Sequence, residues 1–503
     1  MAAVGLGELT IEIAGSALGA EEAACLGGLR VRQALSVPAQ CELAFEGIPE
    51  SFGDRAPLLA GLTLAVRSEH DTLFTGEITA VEHGYSPDGG REVRLRAYDP
   101  LHRLRKRQSV EIRNDVDAGE LCRQFAPDLG VDADVSEAGP RWPRLAQWHQ
   151  TDFDLLAETA GRAGLHFAVW DETLRLFSLA GVGDPVSLRL GDDLLEASFE
   201  MNGDRAWSEV AATGWDPTTG DRFDGSADSG RSGRSAQARV STTDVGGEPR
   251  RMLVNAAVPA SEHVEAAAQG ELDRATANAL TVRGTAAGNA ALRPGCKVSL
   301  DGVQQTLAGT YVVTEVTHTM DAERGFVSTF STEVPAPRRP AAAAVVAPGV
   351  VNRVDDPEEQ GRVTVKLPGY HNVETGWMRV LLPAAGKAKG FIALPDEGDE
   401  VLVLFPEGDP AVGLVLGGLF GQDGVPDTGI ADGRVRRQSW RSPKGHYLEI
   451  DDREERMTIA HANGSTIRIA RDKLSIETVT DLDIKAPGRT ITITAAAVDF
   501  KKG

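Results

Sequence analysis

The chain has 503 residues, 41% of them apolar, with 55 glycines and 74 acidic side chains against 52 basic ones. That length predicts three or more domains of about 150 residues, and the composition is that of a globular, turn-rich protein. The net charge of −22 argues against a general nucleic-acid binder, which needs a basic footprint, and against docking on an anionic membrane surface.

The N-terminus, MAAVGLGELTIEI, has no basic start and no long apolar core, so it does not read as a signal peptide. A chain made in the cytoplasm and staying there until released is expected. The cysteines Cys25, Cys41, Cys122 and Cys296 show no C-x-x-C spacing. They read as buried free thiols rather than a disulfide framework or a zinc site.

Strand patterns come first along the chain. LTLAVRSEHDTLFTGEITAVEH (62–83) and EVRLRAYD (92–99) alternate and are rich in Val, Thr and Leu, as are 296–319 and 325–334. The two long stretches share a plan: paired strands, a glycine (Gly76, Gly309), then a strand closing on a histidine (His83, His318). The repeat is weak, and it predicts two related β-barrels in one block. The basic run HRLRKR (102–107) sits between strands. Arg103, Arg105, Lys106 and Arg107 either meet an acidic ring on a partner or guard a solvated edge strand.

Helices are fewer. The spacing predicts them over 117–130, 151–164 and 261–280. In the second, Thr151 caps with Asp154, Leu155, Leu156, Thr159, Ala160 and Ala163 share a face, and Gly164 stops the helix. GSADSGRSGRSA (225–236) reads as a mobile loop. VPAPRRPAAAAVVAPG (334–349) is a proline-stiffened linker, and its apolar run (340–351) is too short to cross a bilayer. Short strands punctuated by Gly and Pro then predict a small barrel. The expected boundaries are a first block at 1–335, linker 336–347, barrel 348–425 and ribbon 435–503.

The ribbon is built of apolar-x-apolar doublets: Leu448/Ile450, Met457/Ile459, Ile467/Ile469, Leu474/Ile476, Leu482/Ile484, Ile491/Ile493 and Val498/Phe500. Such short strands cannot enclose a core within one chain. Three chains winding round a common axis can, and closure removes the open edges. These fourteen residues are therefore the expected core of a homotrimer.

Candidate chemistry is sparse. HVEAA (263–267) lacks the H-E-x-x-H order of a zinc site and reads as an exposed helix. SGRSG lacks the strand–turn–helix setting of a nucleophile elbow, and no phosphate-binding loop is present. The carboxylates of DEGDE (396–400) read as an exposed turn. Residues 348–421 carry 6 Lys/Arg against 11 Asp/Glu, a net of −5, the wrong sign for binding single strands. Neither metal nor cofactor is expected, and no nucleic-acid partner. Two other classes stay in view: a tailspike-like glycan hydrolase and a nucleic-acid-binding barrel.

GFIALPDEGDEVLVLFPEGDPAVGLVLGGLFG (390–421), DDPEEQGRVTVKLPG (355–369) with Trp377, YDPLHRLRK (98–106), QWHQTDFDLLAETAGRAGL (147–165) and RSPKGHYLEIDD (441–452) together resemble the VgrG-type spikes of contractile injection machines. These machines are phage tails, type VI secretion systems and extracellular phage-tail-like particles. The resemblance implies a mainly β protein: two hub β-barrels with a few helices, an oligonucleotide/oligosaccharide-binding (OB) barrel, and a C-terminal intertwined trimeric β-prism. It implies a non-enzymatic spike that caps the inner tube and punctures a membrane. Its partners would be the inner tube ring, baseplate proteins, a separate cone-shaped tip protein and, transiently, a target membrane. The chain would be cytoplasmic during assembly and then leave in an extracellular or membrane-docked particle.

Overall fold

The structure, a computed structural model, describes residues 9–47, 56–68, 71–87, 90–216, 218–321, 323–336, 344–421 and 424–501. It divides into two compact units, Met1–Leu419 and Phe420–Gly503. Among the described residues no helix is long and apolar enough to cross a membrane.

The first unit is organised by an eleven-stranded sheet. In spatial order its strands are Leu194–Met201, Leu280–Ala287, Gly325–Ser331, Glu315–Asp321, Leu26–Ala34, Gln40–Glu46, Arg91–Tyr98, Thr72–Tyr85, Thr63–Ser68, Leu9–Ile13 and Ser16–Ala17. The alternation read from the sequence places each strand's faces: Cys41, Leu43 and Phe45 point inward, and Gln40, Glu42 and Ala44 do not. Leu26–Ala34 pairs antiparallel with Glu315–Asp321, from Ala34 opposite Glu315 to Gly28 opposite Asp321. The two expected barrels are thus two half-barrels on one continuous sheet. One has its core around Leu29, Leu43, Phe45 and Leu64. The other, around Val282, Val298, Tyr311 and Phe330, also uses a second sheet of Val182–Arg189, Cys296–Asp301 and Gly309–Val312.

The repeat does not extend to its histidines. His83 is half-buried, whereas His318 is fully buried, with Nδ1 2.8 Å from Ser328 Oγ and Nε2 3.2 Å from the Leu292 carbonyl. Burial pushes the His318 imidazole down to about 4, below its ordinary 6.5. A base depressed on folding contributes stability that is complete above the unfolded value and is lost as pH falls. Hub stability is therefore expected to drop by on the order of 3 kcal/mol from this group between pH 6.5 and 4. Thermal melts across that range should show the loss, and His318→Gln should flatten it.

All three predicted helices form, at Ala118–Leu129, Asp152–Arg162 and Ser261–Asn278. Asp117 caps the first by accepting from the Glu120 N–H at 2.8 Å. Thr151 and Asp154 cap the second reciprocally. The third lies close to the turn after the second: a Cβ built on Gly270 would sit 2.6 Å from Gly164 Cα, and Gly164 has φ +68. These helices share a core with Trp142, Phe153, Phe167 and Leu176.

Two expectations are corrected in this region. The helix bearing HVEAA is not simply exposed, because His263 is buried edge-on against Trp142, with ring centroids 4.3 Å apart. The segment 225–236 is held in place rather than free. The Arg231 guanidinium pairs with buried Asp273 at 2.9 Å and Glu137 at 2.7 Å. Arg234 donates to the Thr276 carbonyl, and Ser235 N–H donates to the Thr310 carbonyl at 3.0 Å. Glycine is required at 230, where a Cβ would lie 2.0 Å from Thr276 Oγ1.

Part of the expected linker, residues 337–343, lies outside the described residues. Its end is already strand: Val345–Arg353 opens a six-stranded sheet, ordered Val373–Glu374, Thr364–Leu367, Val345–Arg353, Glu400–Phe405, Leu414–Gly418, Arg379–Val380. Ala347, Val351, Val365, Val403, Phe405 and Val415 fill it. Beside that core, buried Arg362 makes a two-pronged pair with Asp356 at 2.7 and 3.0 Å. The guanidinium holds the Asp356 carboxyl well below the usual carboxylate range, so the pair's contribution is present above the ordinary value and fades as pH falls. Arg362→Leu, which leaves Asp356 buried and unpaired, is expected to destabilise the barrel by about 3–5 kcal/mol. Denaturant unfolding monitored on the full chain checks this.

The second unit contains a five-stranded antiparallel meander, Arg437–Arg441, Tyr447–Asp451, Arg456–Ala460, Thr466–Ile469 and Leu474–Glu477, and a short hairpin, Ile430–Ala431 with Arg434–Val435.

Candidate functional site

The meander's register decides what its surface can do. Leu448 stands opposite Ile459 and Ile450 opposite Met457. Ile459 stands opposite Ile467 and Met457 opposite Ile469. Ile467 stands opposite Ile476 and Ile469 opposite Leu474. Because side chains alternate with period two, this register puts every doublet on one face. That face is open: Leu448 and Ile450 are 39% and 37% exposed, and Ile459 and Leu474 reach 54% and 62%. Trp440, opposite Leu448 and 51% exposed, extends it. Sequence reading missed Trp440 because its doublet partner, Gln438, is polar.

The opposite face is closed by charge. Arg437 pairs with Asp427 at 2.6 Å and Asp451 at 3.4 Å, and Arg441 and Arg456 each lie 3.7 Å from Glu449. The Arg437 guanidinium holds the Asp427 carboxyl down at about 2. Thr458, Ala460 and Thr466 are buried there. The sheet is therefore finished on one side only.

The remaining three doublets have no ladder among the described residues. No strand is assigned after Glu477, and Leu482, Ile484, Ile491, Ile493, Val498 and Phe500 are 50–89% exposed. All fourteen residues expected in a shared core thus stand open in the single chain. Monomeric proteins seldom leave a contiguous apolar face as long as the meander's open to solvent. Burying about fourteen half-exposed side chains would contribute on the order of 10 kcal/mol per chain.

The basic run is placed differently. Pro100–Lys106 is a 3-10 helix capped by Asp99, not an edge strand. Arg103 pairs with Glu77 and donates to the Leu129 carbonyl at 3.0 Å. Arg105 lies 4.9 Å over the Phe153 ring, and Arg107 pairs with Asp128 at 2.7 Å. Lys106 adds its charge to those of Arg103 and His102 around Glu77 and helps hold that carboxyl below its ordinary value. Burial pushes the Asp99 carboxyl up to about 7, against the pull of the Ala39 and Leu101 N–H donors. The motif is a structural corner whose charges are mostly spoken for within the chain. The DEGDE carboxylates form the expected turn, with the Asp396 N–H donating to Asp399 at 2.7 Å. Among the described residues no group of three or more His, Cys, Asp or Glu is placed to hold a metal.

In sequence order the chain thus runs from two half-barrels through a six-stranded barrel to a ribbon open on one face. Residues 61–322, more than half of the chain, match the family described as the Alg8 N-terminal domain. Residues 347–420 match the type VI secretion system/phage-baseplate injector OB domain. The type VI secretion system spike protein VgrG1c of Pseudomonas aeruginosa is 31% identical over 141 residues, 26% of this chain and 19% of that protein. The match thus spans about a fifth of that relative. Chains of the Francisella PdpA–VgrG complex share the fold at 10% identity. The half-lidded form gives a TM-score of 0.54, covering 93% of this chain and 88% of that one; the lidded form gives 0.53, covering 94% and 80%. The chain belongs to the Alg8 N-terminal domain family, and it is similar to VgrG-type spikes in its injector OB domain, in the stretch shared with VgrG1c and in fold.

Proposed function

We propose that three copies of this spike wind their C-terminal strands round one axis, and that the trimer is the leading, membrane-puncturing end of a contractile injection machine. In this reading 1–335 is the hub that caps the inner tube, 348–425 a collar and 435–503 the needle. The fourteen doublet residues are the needle's core. Two half-barrels per chain would present six similar units to a tube ring. The role is mechanical: contraction of a sheath drives the tube, and the needle concentrates that force and leads effectors across. Further partners would be baseplate proteins and a cone-shaped tip on the C-terminal end. Assembly would be cytoplasmic, with later release in the particle.

The observation that carries the reading is the one-faced meander, apolar and open from Trp440 to Ile476. A β-prism whose strands pair between chains closes such a face and leaves no free edge, which also gives stiffness along the axis. Light scattering on the full chain is expected to give the mass of three copies at micromolar concentration. A stable one-chain mass would overturn the trimer and the puncturing role with it.

A further inference from the structure

We propose that residues 381–395 form an arm that docks on the OB barrel of a neighbouring copy, so that three arms exchanged head to tail close the collar. This rests on the three-chain reading above. The arm joins the strands Arg379–Val380 and Glu400–Phe405. Its foot is fixed by the Leu381 N–H donating to the Val415 carbonyl at 2.7 Å, and its tip is a tight hairpin with reciprocal backbone bonds between Gly386 and Lys389. Between these points it buries almost nothing. Leu381 is 62% exposed, Phe391 51%, Ile392 76% and Leu394 44%. Single exposed apolar side chains are ordinary, but four within fourteen residues form a patch that calls for a cover.

The chemistry of the arm selects that cover. It carries Lys387 and Lys389 and no acidic residue, within a barrel of net charge −5. The same barrel presents a rim of the opposite character: Val354 is 42% exposed beside exposed Glu359, and although Asp355 pairs with Arg353 at 2.9 Å and Glu358 with Arg362 at 3.3 Å, residues 353–362 hold two arginines against four carboxylates, a net of −2. An apolar, basic arm and an apolar, acidic rim on one molecule make a head-to-tail contact, which closes into a ring when the rotation is three-fold. The needle that follows in sequence would tether the three barrels, raising the effective concentration of each arm near its neighbour's rim.

The test uses full-length chains on a Cys25→Ser background. Chains carrying Val354→Cys are co-expressed with chains carrying Ile392→Cys or Phe391→Cys, so any new disulfide is intermolecular. Mild oxidation is expected to give reducible covalent dimers within a particle of three-chain mass. Lys389→Glu on the arm should lower the yield several-fold, and Glu359→Lys on the partner chain should restore it. A three-chain mass with no cross-link at either position, or a yield indifferent to both charge changes, overturns the arm exchange and leaves the trimer standing. A one-chain mass overturns both.

Discussion

Ile467→Asp combined with Ile469→Asp is expected to reduce the assembly to single chains. The two side chains form the third doublet, on the strand Thr466–Ile469, opposite Ile476 and Leu474 on one side and Ile459 and Met457 on the other. In a three-fold core each substitution appears three times, so six carboxylates would converge on an apolar axis. A carboxylate buried there without a partner costs several kcal/mol, and like charges at close range add to that. Two such carboxylates per chain offset most of the roughly 10 kcal/mol that the doublets supply. Light scattering reads the mass and limited proteolysis the loosened ribbon. Arg468→Asp is the control, since Arg468 lies between the two on the opposite face, across from Ser475, and should leave the mass at three chains. A double aspartate variant that keeps that mass would show that this face is not the shared core.

Gly270→Ala is expected to destabilise the hub by about 3 kcal/mol, at the upper end of overpacking effects. The added methyl would lie 2.6 Å from Gly164 Cα and 3.0 Å from its nitrogen. Neither side can yield. Gly270 is inside the helix Ser261–Asn278, and Gly164, at φ +68, ends the helix Asp152–Arg162 in a conformation that L side chains rarely adopt. Separating the two would open the core around Leu156, Ala160 and Leu272. Gly161→Ala provides the contrast: nothing lies within 4 Å of a Cβ there, and removing a glycine from the last turn of the helix Asp152–Arg162 should stabilise by up to about 1 kcal/mol. Thermal melts of the two variants should move in opposite directions. Equal shifts would show that helix propensity, not the close approach, governs both positions.

How much was legible follows from what each signal encodes. Strand doublets report a face directly, because alternation ties sequence position to side-chain direction. That is why Leu448 to Ile476 fall on one surface as read. Where a rung departs from the pattern, as at Gln438 and Trp440, the reading stops one strand early. The OB barrel's Gly-Asp and Leu-Pro punctuation marks turns that a small barrel must have. The segment 225–236 was misread because Gly and Ser there signal close packing on the helix Ser261–Asn278, and composition alone cannot separate a glycine that permits contact from one that permits motion. HRLRKR was unreadable as a contact because its partners, Glu77, Asp128 and Phe153, come from other parts of the chain. The joining of the half-barrels depends on a strand pairing between distant segments, which no local pattern announces.

That pairing bears on how the protein is made. The strand Leu26–Ala34 leaves the ribosome early, yet its neighbour Glu315–Asp321 follows nearly three hundred residues later. At roughly 5–20 residues per second the nascent chain carries an unmated hydrogen-bonding edge for about 15–60 s. Non-local pairings of this kind fold slowly and invite aggregation in the interval. A holdase occupying the first half-barrel during synthesis would therefore raise the soluble yield, and slowing translation between the two strands would lower it.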